Sequence, residues 1–199
     1  MPEQKIETKD IVNYLDQYLR IREISDTSLN GLQVQGKPEI EKIGFAVDAC
    51  VETFEAANQA AVDLLVVHHG LFWGKEQPVT GSHYARFKAL IESGMNLYCA
   101  HLPLDAHPEV GNNAQIANAL DLEIEYYFGD YQGTPIAVYG RTKTKITAKD
   151  FLNDVKKLLG NHVRLDAFGP EMFRNVGICT GAGAMLLPEA KSIGIEAFI

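Results

Sequence analysis

The stretch Val62-Asp63-Leu64-Leu65-Val66-Val67-His68-His69-Gly70 decides how this chain is read. A near-continuous valine and leucine run is what a parallel strand needs when helices cover both of its faces. Open α/β sheets bind ligands at the carboxyl ends of such strands. That end here carries two imidazoles and then a glycine, whose missing Cβ lets backbone approach a ligand closely. A second run, Met95-Asn96-Leu97-Tyr98-Cys99-Ala100, leads into His101-Leu102-Pro103-Leu104-Asp105-Ala106-His107. Two neighbouring strand ends would then supply nitrogen and oxygen ligands to one or two divalent cations.

Working outward, the pattern alternates between strand and helix. Thr8 is placed to cap a helix whose apolar face is Ile11, Val12, Leu15, Tyr18 and Leu19. Residues 26–36 are rich in turn formers and read as a loop. Ile43 to Val47 reads as a short strand ending in Asp48, and Glu52 to Ala61 as a helix. Residues 71–81, with Trp73, Gly74 and Pro78, are too irregular for an element and are expected to line a site. Ser82 begins a helix with Tyr84, Phe87, Leu90 and Ile91 inward and Gly94 closing it. Asn112 or Asn113 starts another, through Leu120.

The character changes from about Tyr126. Pro135 to Thr142 reads as a strand, and Thr147 caps a helix with Phe151, Val155, Leu158 and Leu159 inward, ended by Gly160. His162 to Phe168 and Asn175 to Cys179 are expected strands. The whole predicts an α/β protein with layered sheets and helices. Its metal-site lobe is expected over residues 1–128 and a second α/β lobe over 129–199. Ile193 to Ile199 reads as a helix end followed by a strand that begins and stops, so the second lobe is expected to be incomplete at its C-terminal end.

The chain has 199 residues, 46% of them hydrophobic and 22% charged, a composition that builds a folded core. A net charge of −8 argues against binding nucleic acid through phosphate neutralisation. An anionic substrate would need a local positive centre, which a metal ion supplies. The three cysteines, Cys50, Cys99 and Cys179, form no C-x-x-C pair and read as reduced and structural. Neither a basic-then-apolar leader nor an 18-residue apolar stretch is visible, so a cytoplasmic location without membrane contact is expected.

Each candidate also has a plainer reading. His68 and His69 would be capping or core histidines, but their adjacency at a strand end favours ligation. Side chains alternate along a strand, so the two imidazoles could serve separate metals. Asp105 beside neutral imidazoles suits zinc, iron or manganese. His101 is either a ligand or a group that transfers a proton or orients a ligand. His107, before Pro108, reads as surface. Gly181-Ala182-Gly183-Ala184 lacks the P-loop Lys-Ser/Thr, so a tight strand-to-helix turn competes with a phosphate cradle. Asn30, Gly31 and Gln33 bend a loop into the site or simply make a turn.

Asn30-Gly-Leu-Gln-Val34, Val66-Val-His-His-Gly-Leu-Phe72, Ala100-His-Leu-Pro-Leu-Asp105, Gly111-Asn-Asn-Ala-Gln-Ile-Ala117 and Thr180-Gly-Ala-Gly183 together resemble the Nif-three-like family. Its bacterial members carry the name GTP cyclohydrolase 1 type 2. The resemblance runs along essentially the whole chain. It implies a two-lobed α/β fold in a ring-shaped homohexamer, with a dinuclear site mapping onto His68 and His69, one to each metal, and onto Asp105. It further implies a His-x-x-x-Glu pair near the C-terminus, a motif absent after Asp105 here, where only His107 and His162 follow. The implied activity is a metal-dependent hydrolase acting on a small molecule, GTP or another nucleotide, with His101 moving a proton. A metal-binding scaffold that recruits other proteins and does little chemistry is the alternative.

Overall fold

The computed structural model describes residues 5–199. The chain divides into two compact units, one ending at Leu104 and one running from Asp105 to Ile199. The first contains β1 (Ile6–Glu7), α1 (Thr8–Tyr18), β2 (Gly31–Val34), β3 (Glu39–Ile40), β4 (Ile43–Asp48), α2 (Val51–Gln59), β5 (Leu64–His69), α3 (Gly81–Ser93) and β6 (Asn96–Cys99). A short helix, α4 (Leu102–Asp105), follows.

Four strands lie in the order β2-β6-β5-β4, with β4, β5 and β6 parallel and β2 antiparallel to β6. The apolar runs are continuous because both faces are covered. Leu65, Val67, Leu97 and Cys99 pack with Phe54 and Ala57 of α2 and Leu90 of α3. On the other face Leu64, Val66, Tyr98 and Ala100 pack against Ile11, Val12, Leu15 and Tyr18 of α1. Each fully buried leucine or valine stabilises the fold by about 1.5–3 kcal/mol. The buried Tyr98 hydroxyl donates to Asp16 Oδ1 at 2.9 Å, and burial pushes the phenol above its ordinary range.

Several expectations need correction. Thr8 is the first helical residue rather than the cap: its hydroxyl donates to the Lys37 carbonyl at 2.7 Å and its amide to that of Pro38. Within residues 26–36, Gly31–Val34 is a strand, made legible only by its pairing with β6. In α3 the buried side chains are His83 and Leu90, whereas Tyr84 and Ile91 face solvent. Gly94 does close that helix, in the left-handed conformation at φ 65°.

In the second unit α5 (Asn112–Ala119) precedes β7 (Glu123–Tyr131), β8 (Thr134–Thr147), α6 (Ala148–Leu159), β9 (Met172–Ile178), a 3₁₀ turn (Gly183–Leu186), α7 (Leu187–Ser192) and β10 (Ala197–Phe198). Its sheet runs β10-β9-β8-β7, antiparallel except where β10 joins β9. Strand β7, unread from sequence, is a hairpin with β8 across Gln132-Gly133, both at positive φ as a tight two-residue turn demands. Thr147 caps α6 as expected, accepting from the Asp150 amide at 3.1 Å. Phe151 and Val155 are buried, but Leu158 is exposed. His162 to Phe168 is irregular coil, not a strand. Among the described residues no helix is long and apolar enough to cross a membrane.

The start of β5 is fixed by one carboxylate. Asp63 accepts from Lys37 Nζ at 2.6 Å and from the amides of Glu41 and Lys42 at 3.0 and 3.1 Å. Burial alone would raise its pKa, but these donors outweigh it and hold the carboxyl below its ordinary value. A depressed folded pKa stabilises above the unfolded value near 3.9 and is lost as pH falls through the folded one. Asp63→Asn should therefore cost about 2–3 kcal/mol at pH 7. Its urea midpoint should also fall less steeply than the wild type's as pH drops below about 4. Parallel midpoint curves would contradict this.

Candidate metal centre

The C-terminal ends of β5 and β6 bring three imidazoles together. One nitrogen from each of His68, His69 and His101 lies within 4.8 Å of the others, a group able to hold a metal ion. The ring centroids of His68 and His69 are 4.5 Å apart, and those of His68 and His101 4.9 Å. Adjacent side chains on a regular strand would point to opposite faces, yet at this strand end both rings lean to one place.

What leans them is the second nitrogen of each ring. His68 Nδ1 donates to the Ala100 carbonyl at 3.0 Å, and His69 Nδ1 to Asp48 Oδ1 at 2.7 Å. His101 Nδ1 donates to both oxygens of Asp26, at 3.0 and 3.1 Å. Each partner is a carbonyl or carboxylate oxygen that only accepts, so each Nδ1 carries a proton and, in the neutral ring, Nε2 is the nitrogen left to bind a metal. Metal-binding histidines characteristically present this arrangement, which fixes tautomer and ring orientation together. The donor set therefore fits a divalent ion of the zinc, iron or manganese kind.

Asp26 is the residue that sequence reasoning missed. Its side chain is only 2% exposed, and besides His101 it accepts from the amides of Ser28 and Leu102 and from Asn30 Nδ2. Burial works to raise its pKa, but the His101 ring and the other donors hold it down at about 2. Asn30 adds a second tie, its Oδ1 accepting from the His101 amide at 2.7 Å. Asn30 and Gln33 are thus not mere turn formers. Gln33 accepts from the Leu71 amide at 2.7 Å and donates to the Leu29 carbonyl at 2.6 Å. It sits where a Cβ on residue 70 would lie, which is why a glycine follows the two histidines. The only hint in the sequence was an Asp-x-x-x-Asn turn of unremarkable composition.

The irregular segment after the histidines does line the centre. Trp73 Nε1 donates to the Gly70 carbonyl at 2.9 Å, and its ring meets His101 edge-on at 4.8 Å. Cys99 is buried beneath, its thiol donating to the His68 carbonyl at 3.3 Å and pushed up by burial, consistent with a structural role.

Asp105 lies in the second unit. It is buried, and its Oδ1 accepts from Asn112 Nδ2 at 2.6 Å and from the Thr180 hydroxyl at 3.3 Å. His107 is buried rather than surface, its Nδ1 accepting from the amides of Glu109 and Val110. The small-residue turn after β9 packs tightly: a Cβ on Gly183 would press into Cys179.

The family model of Duf34/NIF3 (NGG1p interacting factor 3) matches residues 6–199. Among curated relatives, a GTP cyclohydrolase 1 type 2 homolog of Deinococcus radiodurans is 44% identical over 190 residues, covering 96% of this chain and 72% of that one. One of the same name from Pyrococcus abyssi is 44% identical over 187 residues, covering 94% and 75%. Among solved structures, protein ybgI, described as of unknown function, matches with a TM-score of 0.90 at 33% identity, covering 97% of this chain and 77% of that one. TTHA1606 from Thermus thermophilus matches at 0.82 with 40% identity, covering 92% and 74%.

The Asp26 clamp makes a measurable prediction. Asp26→Asn replaces an acceptor for four donors by one carbonyl and an amide that points hydrogens at them. Metal affinity, followed by zinc titration, should fall about 10–100-fold. The melting temperature of the metal-free protein should drop by an amount matching about 2–3 kcal/mol. An unchanged titration would remove Asp26 from the centre.

Proposed function

The chain belongs to the Duf34/NIF3 family, and we propose that it is a dinuclear metal-dependent hydrolase of the GTP cyclohydrolase 1 type 2 kind. The observation that carries this reading is the set of three imidazoles, each with Nδ1 committed to an oxygen acceptor. In the proposal His68 and His69 hold one metal each, and Asp105 contributes its carboxylate. A bound divalent metal supplies a hydroxide near neutrality by lowering the pKa of its water toward about 7.

The remaining chemistry belongs to the protein. In this proposal the third ring of the cluster, His101, is not itself a metal ligand: it accepts and returns a proton at Nε2, because Asp26 keeps Nδ1 protonated and stabilises the imidazolium that forms. Asp48 performs the same orienting service for His69, whose side chain is partly open to solvent and so reachable by substrate. The Trp73 ring beside His101 and His69 offers a flat wall suited to an aromatic base. In the proposed reaction one water adds at C8 of the guanine of GTP and the C8–N9 bond breaks, leaving a formamide on N7; a second water hydrolyses that formamide, so that formate leaves and N7 becomes a free amine.

Metal analysis and turnover test the proposal together. His68→Ala and Asp105→Ala should each lose metal and at least about 100-fold of formate release from GTP, within the range that removal of a catalytic group costs. Full metal content and turnover in both variants would refute the ligand assignment. Firm metal binding without product from GTP or other nucleotides would favour the scaffold reading.

A further inference from the structure

Two of the segments that carry the family resemblance, Gly111-Asn112-Asn113 and Thr180-Gly181-Ala182-Gly183, supply none of the three imidazoles. Within the second unit they meet at Asp105. Asn113 sits in the first turn of α5 and is 1% exposed. Its Nδ2 donates to the Ile136 carbonyl of β8 at 2.7 Å and to the Asp105 carbonyl at 3.3 Å, while its Oδ1 accepts from the Thr180 amide at 2.7 Å. One buried side chain thus ties residue 105, strand β8 and the turn after β9 into a single frame. A buried polar group left without its partner is costly, so the frame resists any shift that breaks one of these bonds. The turn is closed from its other end by packing: a Cβ on Gly183 would lie 2.7 Å from that of Cys179.

The frame delivers the Thr180 hydroxyl to a carboxylate. Oγ1 donates to Asp105 Oδ1 at 3.3 Å, across 75 positions of chain, and Asn112 Nδ2 reaches the same oxygen at 2.6 Å. Asp105 is only 8% exposed, so bulk water is a poor substitute for either donor. A single donor would let the carboxyl turn about its Cβ–Cγ bond with that contact kept. Two donors from separate segments fix the plane of the group, and with it the direction of Oδ2. The hydroxyl plays no part in the frame itself, because the tie to Asn113 runs through the Thr180 amide.

We infer that Thr180 is a positioning residue for Asp105, aiming its carboxylate at a bound metal ion; this rests on the reading of Asp105 as a ligand. Ligating carboxylates are themselves held by hydrogen bonds, and losing such a partner costs about 10–100-fold in metal affinity. The small-residue turn then has a role that needs no bound phosphate. It brackets one hydroxyl against one carboxylate, with Asn113 as the brace.

Zinc titration of the full 199-residue chain tests this. Thr180→Val keeps the shape of the side chain and the amide tie to Asn113, and removes only the donor. Its zinc affinity should fall about tenfold, at the low end of the range because the bond is long. Thr180→Ser puts a hydroxyl back on the same backbone and should bind zinc as the wild type does. In an Asp105→Ala background, which leaves the imidazoles to hold zinc, Thr180→Val should cost no further affinity, because the hydroxyl acts only through that carboxyl. Equal zinc affinity in Thr180→Val and the wild type overturns the inference, and if Asp105→Ala alone loses zinc the ligand reading still stands. A loss that persists in the Asp105→Ala background, or that Thr180→Ser does not recover, makes the hydroxyl a brace of the turn and overturns the inference as well. Undiminished zinc affinity in Asp105→Ala removes the ligand reading itself, and the inference falls with it.

Discussion

Burial on both faces is the constraint from which the first unit follows. A strand enclosed by α1 on one side and α2 and α3 on the other has no exposed flank on which to display polar chemistry. Polar side chains can appear only where the strand emerges, and β5 and β6 emerge side by side because they are parallel neighbours. The convergence of His68, His69 and His101 is therefore a product of sheet topology before it is a product of loop conformation. At the opposite end of the same strands the polar residues are structural: Asp63 and Asn96 satisfy loop amides and carbonyls there.

Topology alone would leave three rotatable rings. Their order comes from oxygen acceptors on three different segments: the Ala100 carbonyl after β6, Asp48 at the end of β4 and Asp26 in the loop before β2. The strengths differ. Asp48 is solvent-exposed, so its hold on His69 is screened and modest. Asp26 is buried and gathers four donors, so His101 is the most firmly fixed of the three. A centre with one rigid imidazole and one looser one can keep its frame while adjusting to what binds.

Much of the fold was legible because local pattern and tertiary environment agree. The apolar runs, the Thr147 cap and Gly94 each have one dominant physical reason, visible within a few residues. The His68, His69 and His101 grouping was legible for the same reason, since strand ends are readable and parallel neighbours put them together. What escaped was held by distant partners. Strand β2 has four residues and no strong pattern, and it exists because β6 offers it a ladder. Asp26 looked like turn chemistry because nothing near it in sequence shows which ring it serves. In α3 the apolar spacing suggested Tyr84 and Ile91 as inward, but the helix turns His83 to the interior, edge-on to Phe87. His162 to Phe168 alternates convincingly but pairs with no strand among the described residues, and alternation without a neighbouring strand makes no ladder.

The clamp on His101 joins residues 75 positions apart in the chain. During synthesis the tandem histidines emerge more than thirty residues before Ala100 and His101. Until β6 has docked, His68 has no carbonyl to donate to and His101 has no carboxylate to settle against. The order of assembly thus keeps the three imidazoles apart in a nascent chain and gathers them only in a finished sheet, so a cation taken up by the proposed centre would be captured after the fold is complete.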